Sequence, residues 1–288
     1  MRAFALAGGL SSARCERCSR MASEADALTP PIDAATLANA AGGLAHFRAI
    51  RYLDAVESTN GLAFSMLDDE SSLATSIVAE VQTAGRGRAG RSWESPRGAG
   101  LLISTIMPID LPHQVLPALG YWTSLCAADA VIDACGVWPT LKWPNDLMLG
   151  AVKVAGVLVE GRTLGAFTRA VAGIGINANR PVDAPADLEG VAAWLSDAAG
   201  GPVDRTALAI AVLSAYDRRY EDLIGRPIDV IREWSRRSAI SGRTLRVHSA
   251  KGDLLHEGVA HGLSDDGALL LETKDGPVTV RLGDVSAL

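Results

Sequence analysis

Aromatic side chains are scarce, at 5% of the 288 residues, so each of the six tryptophans is informative. Cysteine is scarcer, with four in all. Cys15 and Cys18 form a C-x-x-C pair, but no second Cys or His pair follows to complete a zinc site. Cys126 and Cys135 fall in an apolar helical pattern and read as core thiols. This usage excludes a disulfide framework and fits a reducing cytoplasm. A long hydrophobic run is also lacking. The longest uncharged stretch, residues 111–128, contains Pro112, His113, Gln114, Pro117 and Gly120, which reads as a turn entering a buried helix. Basic charge is in deficit, with a formal net charge of −6. That disfavours a general nucleic-acid binder and requires any anion site to be local. What remains, 48% hydrophobic and 21% charged, is the mixture of a globular chain with a sizeable core. The length suits one large domain, or one large plus one small.

Residues 1–45 are rich in Ala, Ser, Gly and Arg and carry Pro30-Pro31 without sustained periodicity. They are expected to form an irregular, dispensable extension, with no winged helix-turn-helix and no DNA binding. From His46 the pattern becomes regular, and residues 46–237 are expected to form the main domain. Strand-like runs occur at 51–53, 76–81, 101–107, 140–143, 154–159 and 170–176. Helical patterns cover 60–67, 115–135 and 204–223, the last with Asp204 as a candidate N-cap. Strands and helices do not alternate strictly, which predicts an α+β fold. Residues 238–288 change character again. Short strands at 244–248, 257–262, 268–272 and 278–282 alternate with turns such as Asp265-Asp266-Gly267 and Asp275-Gly276. They predict a small C-terminal β-barrel.

Four constellations carry chemistry. The first is Gln82-Thr83-Ala84-Gly85-Arg86-Gly87-Arg88-Ala89-Gly90-Arg91-Ser92-Trp93, directly after an apolar strand. Residues 82–97 hold Arg86, Arg88, Arg91 and Arg97 against Glu94 alone, a local excess in an acidic chain. Glycines let backbone N–H groups form an anion nest, and arginines add forks for phosphate or carboxylate. The glycines match G-x-G-x-x-G literally. Pro96 and Gly98 follow instead of a helix, so neither a dinucleotide fingerprint nor a P-loop is supported. The second is Leu141-Lys142-Trp143-Pro144-Asn145-Asp146 with Lys153-Val154-Ala155-Gly156-Val157-Leu158-Val159-Glu160. Its two lysines beside apolar strands add positive charge, and Asn145 and Asp146 offer oxygens suited to Mg²⁺ or its waters. The third is Gly173-Ile174-Gly175-Ile176-Asn177-Ala178-Asn179, small residues on an apolar strand that ends in two amides, where a ligand or backbone can approach closely. The fourth, Glu57-Ser58-Thr59-Asn60, reads by itself as a helix N-cap.

Taken in this order, the motifs closely resemble those of the biotin–protein ligases. They are Ser58-Thr59-Asn60, Gln82-x-x-Gly85-Arg86-Gly87-Arg88-x-Gly90-Arg91-x-Trp93, Lys142-Trp143-Pro144-Asn145-Asp146, Lys153-x-x-Gly156 and Gly175-Ile176-Asn177. The resemblance covers residues 46–288, and the missing helix-turn-helix points to the monofunctional class. It implies an α+β catalytic domain related to class II aminoacyl-tRNA synthetases and an SH3-like C-terminal domain. It also implies ATP-dependent formation of biotinyl-5′-AMP, with Mg²⁺, then transfer of biotin to a lysine of a biotin carboxyl carrier protein. Carried over, Arg88 and Lys153 are the implied catalytic groups. Ser58, Thr59, Asn60, Gln82, Gly85, Arg86, Gly87, Arg91, Trp93, Lys142, Asn145, Asp146, Gly156 and Asn177 are the implied biotin and adenylate contacts. No metal ligand set is assigned. The alternatives are a lipoate-type protein ligase and a non-enzymatic ligand-sensing regulator.

Overall fold

The computed structural model describes residues 30–184, 190–238 and 240–287. The Cys15–Cys18 pair lies outside them. Among the described residues no helix is long and apolar enough to cross a membrane.

The main domain is built on a mixed sheet. Its strands are β1 (Ala49–Val56), β2 (Thr75–Gln82), β3 (Gly100–Ile106), β5 (Thr140–Lys142), β6 (Asp146–Leu149), β7 (Val152–Leu164) and β8 (Phe167–Asn177). They run in the order β1-β2-β3-β8-β7-β6-β5, with the short β4 (Leu111–Pro112) pairing β8. Only β1 and β2 are parallel; the remaining ladders are antiparallel. This is the α+β arrangement read from the sequence.

Side chains of a strand alternate between faces, so register decides what each face carries. Leu101 and Ile103 of β3 share one face with Ala172, Ile174 and Ile176 of β8 and Ala155 and Val157 of β7. That face packs into the main core with α3 (Leu116–Cys135) and α5 (Arg205–Gly225). Helix α3 has no charge before Asp129, which lets Leu119, Trp122, Leu125 and Cys126 be fully buried. It stops at Gly136, whose φ of 64° caps the helix. Asp204 caps α5, accepting from the backbone N–H groups of Thr206 and Ala207. The opposite face carries α2 (Thr59–Ser65), which packs Ala63 against Ile77, Ile106 and Val171.

The irregular extension expected over residues 1–45 is corrected at its C-terminal end. Residues Ala34–Gly42 form a helix, α1, capped by the Asp33 carboxylate, which accepts from Ala35 and Thr36. Ile32, Leu37 and Ala41 are buried in the main core. Leu37 and Ala41 lie four apart on one face of the helix, while Ile32 precedes the cap; the high Ala content hid the signal because so few large side chains there do the packing.

Helix α4 (Leu195–Ala199) precedes α5, and α6 (Pro227–Arg237) leads to the second domain. That domain is an antiparallel sheet of β9 (Thr244–His248), β10 (Leu254–Leu263), β11 (Leu269–Thr273), β12 (Gly276–Val280) and β13 (Asp284–Ala287). Its order is β12-β11-β10-β9-β13. Four strands were expected; β13 is the addition, pairing with β9. Among the described residues β12 and β13 do not pair, so the ladder is not closed by hydrogen bonds. The domain is held to α3 by Tyr121, whose hydroxyl donates to the Gly267 carbonyl at 2.5 Å and accepts from Trp143 Nε1 at 3.1 Å. Burial pushes the Tyr121 phenol up to about 12, so it remains a neutral donor.

Candidate active site

The site lies on the α2 side of the sheet. Leu102 and Ser104 of β3, Gly175 and Gly173 of β8, and Gly156 and Leu158 of β7 occupy one face across three neighbouring strands. They floor a cavity of about 110 Å³. The glycines of β8 are required by close approach. A Cβ at position 173 would fall 1.9 Å from Asn60 Oδ1, and one at 175 would fall 2.5 Å from the Trp93 ring. The strand glycines thus hollow the floor, as expected of the third constellation.

One end of the cavity is polar and largely neutral. Ser58 caps α2, so Thr59 and Asn60 in its first turn face the floor; all three are buried. Gln82, at the end of β2, accepts from the Thr59 backbone N–H through Oε1 at 2.7 Å. The Ser104 hydroxyl sits 2.7 Å from Thr59 Oγ1 and 2.6 Å from Asn60 Oδ1.

The other end is cationic and is formed by the basic loop. The loop is a tight hairpin in which Trp93 N–H donates to the Gly85 carbonyl at 2.9 Å and Gly87 N–H to the Arg91 carbonyl at 2.7 Å. Ala89 and Gly90 turn it with φ values of 55° and 75°. The hairpin places Arg86, Gly87, Arg88, Arg91 and Trp93 on the cavity wall, joined by Asn145, Lys153 and Gly156 from the β5–β7 region.

The charges are not equivalent. Arg86 Nη2 is 2.6 Å from Glu160, Lys153 Nζ is 2.5 Å from Asp146, and Arg91 Nη2 is 2.8 Å from Asp284 of the C-terminal domain. Arg88 has no carboxylate in contact among the described residues. It donates instead to the neutral Asn145 Oδ1 at 3.1 Å, and Asn145 is itself fixed by donating to the Val157 carbonyl at 2.6 Å. Burial lowers the Arg88 pKa from its ordinary value, with Asp284 opposing the shift. A half-buried, uncompensated guanidinium is costly to maintain and is relieved by an anion. Lys153 Nζ also lies 5.4 Å from the Trp93 ring centroid, within cation–π range.

Trp93 separates this cavity from a second, of about 640 Å³, lined by Gln82, Glu94, Ser95, Pro96, Lys153, Asn177, Val191 and Trp194 among others. The Trp93 Nε1 is buried there without a partner. Asn177 therefore sits on the far side of Trp93 from Asn60. Gly85 serves the loop rather than the cavity: a Cβ there would lie 2.2 Å from the Trp93 carbonyl oxygen. Asp146 stands behind Lys153. Lys142, expected to add to the positive field, lines neither cavity; its place in β5 is opposite Asp146. Ser104 and Asp284 are additions that motif reading passed over, and Glu160, the last residue of the second constellation, had no role assigned to it. Ser104-Thr105 interrupts the otherwise apolar, fully buried β3, and that interruption is a usable signal. Asp284 has none, because its partner lies on another domain.

Among the described residues no group of three or more His, Cys, Asp or Glu side chains could hold a metal ion. The oxygen donors of the second constellation, Asp146 and Asn145, are engaged by Lys153 and Arg88.

Comparison with known proteins shows the family. Residues 52–177 match the biotin/lipoate A/B protein ligase family, and residues 240–288 match the biotin protein ligase C terminal domain. The bifunctional ligase/repressor BirA of Bacillus subtilis is 34% identical over 239 residues, 81% of this chain and 72% of that protein. The biotin–[acetyl-CoA-carboxylase] ligase of Mycobacterium tuberculosis is 30% identical over 269 residues, 90% of this chain and 97% of that protein. The structure of the Aquifex aeolicus biotin protein ligase in complex with biotin and ATP superposes with a TM-score of 0.69 at 26% identity. It covers 84% of this chain and 99% of that one. With both domains matched and whole-length relatives at this identity, the chain belongs to the biotin/lipoate A/B protein ligase family, alongside its biotin protein ligases.

Proposed function

We propose that this chain is a biotin–protein ligase that forms biotinyl-5′-AMP from biotin and MgATP and transfers biotin to a lysine of a biotin carboxyl carrier protein. The observation that carries this reading is the three-part cavity. A hydroxyl and amide cluster suits a ureido head, a glycine-floored slot with Leu102 and Leu158 suits the fused rings, and a cationic mouth suits a carboxylate. The larger cavity beyond Trp93 is the proposed nucleotide side, with Asn177 on its wall.

In the first step a biotin carboxylate oxygen attacks the α-phosphorus of ATP and pyrophosphate leaves. Two anions must meet, so catalysis is positioning plus charge neutralisation. Arg88 is the proposed main donor to the reacting oxygens because no carboxylate among the described residues is in direct contact with it. Lys153, at the boundary of both cavities, is proposed to face carboxyl and α-phosphate oxygens together. Asp146 holds its ammonium in place until then. Gly87, Arg91 and Gly156 line the reacting end, and Ser58, Thr59, Gln82 and Arg86 the biotin end. Asp146 and Asn145, once released from Lys153 and Arg88, would offer oxygens to a Mg²⁺ or its waters, and the ion would supply further neutralisation of phosphate charge. In the second step the carrier lysine, as the free amine, attacks the acyl carbon. An amide forms, AMP leaves, and the amine proton passes to solvent. The proposed compartment is the cytoplasm, where ATP and carboxylases meet.

The test is incubation with biotin, MgATP and a purified carrier domain, followed by intact-mass measurement. One biotin should appear on one carrier lysine, and without carrier the protein should release pyrophosphate and retain biotinyl-AMP. Lipoate transfer at equal or better efficiency would overturn the assignment.

A further inference from the structure

We propose that Glu160 is a positioning residue for ligand recognition, setting the amide of Asn60 and withdrawing Arg86 from the cations that meet the ligand's anionic end. Glu160 follows Gly156 and Leu158 on the floor side of β7. Its Oε2 accepts from Asn60 Nδ2 at 2.9 Å and from Arg86 Nη2 at 2.6 Å. It thereby ties the first turn of α2 and the basic loop to one point of the sheet.

The consequence for Asn60 is directional. Its Nδ2 also donates to the Leu158 carbonyl at 3.1 Å, so both amide protons are used. A carboxylate and a carbonyl are acceptors only, and an inverted amide would set oxygen against both. Oδ1 must therefore point to Ser104, which lies 2.6 Å away, and into the space that Gly173 leaves open. The expected direct contact of Asn60 with ligand is thus narrowed to the second lone pair of Oδ1. Asn60 otherwise fixes the Ser104 hydroxyl beside it.

The consequence for Arg86 is electrostatic. Its charge is met by Glu160, whereas Arg88, two residues on, has only a neutral amide partner. An anion is drawn to the uncompensated cation. The cavity is polarised end to end, neutral and hydrogen-bonding at Asn60, positive at Arg88. An elongated ligand with a polar head and one anionic terminus has a single favourable orientation in it.

This inference rests on the ligase reading, and the experiment separates the two. E160A and E160Q are compared with wild type by calorimetric titration of biotin and by pyrophosphate release. Glutamine keeps an acceptor for Asn60 but loses the Arg86 charge pair; alanine loses both. E160A should weaken biotin binding and raise KM for biotin by about tenfold or more, with E160Q between it and wild type. kcat at saturating biotin should stay within about threefold, because the reacting end is untouched. Asn60→Ala added to E160A should cost less than about threefold more, since the two act as one unit. Unchanged biotin affinity in E160A, a loss confined to kcat, or full additivity with Asn60→Ala would each overturn the role. If wild type binds no biotin, the ligase reading fails. The clamp is then judged by amide hydrogen exchange over residues 85–92, which E160A should accelerate; unchanged exchange there overturns it as well.

Discussion

Arg88 and Lys153 are both cations at the reacting end, but their surroundings give them different vulnerabilities. Arg88 is preorganised by a neutral amide and contributes its full charge to the ligand. Arg88→Ala should slow adenylation by about 10²–10³, the typical cost of one transition-state donor, about 2–4 kcal/mol. Lys153 is shared between Asp146 and the Trp93 ring, a compact ammonium in a narrow space. A planar guanidinium cannot occupy that space with the same reach. Lys153→Arg and Lys153→Gln should therefore both impair pyrophosphate release while leaving the far-ultraviolet circular dichroism unchanged. Near-normal release by both variants would assign Lys153 to the surface. The motif made both residues visible in the sequence. It could not rank them, because the sequence places Asp146 near Lys153 without showing that the two pair, and the Asn145 contact of Arg88 joins residues 57 positions apart.

At the scale of elements, α1 is the one whose importance the sequence understated. Ile32 and Leu37 are buried, and the Ile32 N–H donates to Glu80, which forms a buried ion pair with Arg205 at 2.7 Å. The same Glu80 accepts from Gly98 N–H, just after the basic loop. Removing residues 30–44 therefore loses the burial of these two side chains, worth about 1.5–3 kcal/mol each, and opens the cover of a buried charge pair. A chain starting at Pro30, which retains α1, should keep the melting temperature of the full-length chain. A chain starting at Ala45 should melt lower by roughly 5–10 °C, and equal melting of the two would remove α1 from the core. Elsewhere the elements were legible because the local signals agree. The Asp204 cap, the apolar stripe of α5 and the turn glycines of the second domain all lie within a few residues of what they organise.

At the scale of the whole molecule, the C-terminal domain reaches the site through one ion pair, Arg91 with Asp284. The Tyr121–Gly267 hydrogen bond fixes the domain close enough for that contact. The Arg91 and Asp284 side chains are 59% and 38% exposed, so the pair is worth little more than about 1 kcal/mol at best. Asp284→Asn should speed loss of retained biotinyl-AMP by about two- to fivefold at low salt, with the difference shrinking as ionic strength rises. Equal release rates at every salt concentration would show that the second domain leaves the loop alone.

The sequence by itself determined the strands, the capped helices, the basic loop and the order of motifs that marks the family. These depend on periodicity and on turn chemistry over a few residues, which survive in a one-dimensional reading. The tertiary structure alone decided which charges are paired. Glu160 lies 100 positions from Asn60 and 74 from Arg86, and no local pattern links them until β7 and α2 meet across the sheet. It likewise set Lys142 away from both cavities: the residue pairs with Asp146, and Asp146 with Gly156, but β5 is the edge strand and lies two strands out from the floor strand β7. Asn177 was assigned to the nucleotide side from its motif. That it lies beyond Trp93 follows from the hollow at Gly175, where the indole packs flush against the sheet and divides one groove into two cavities.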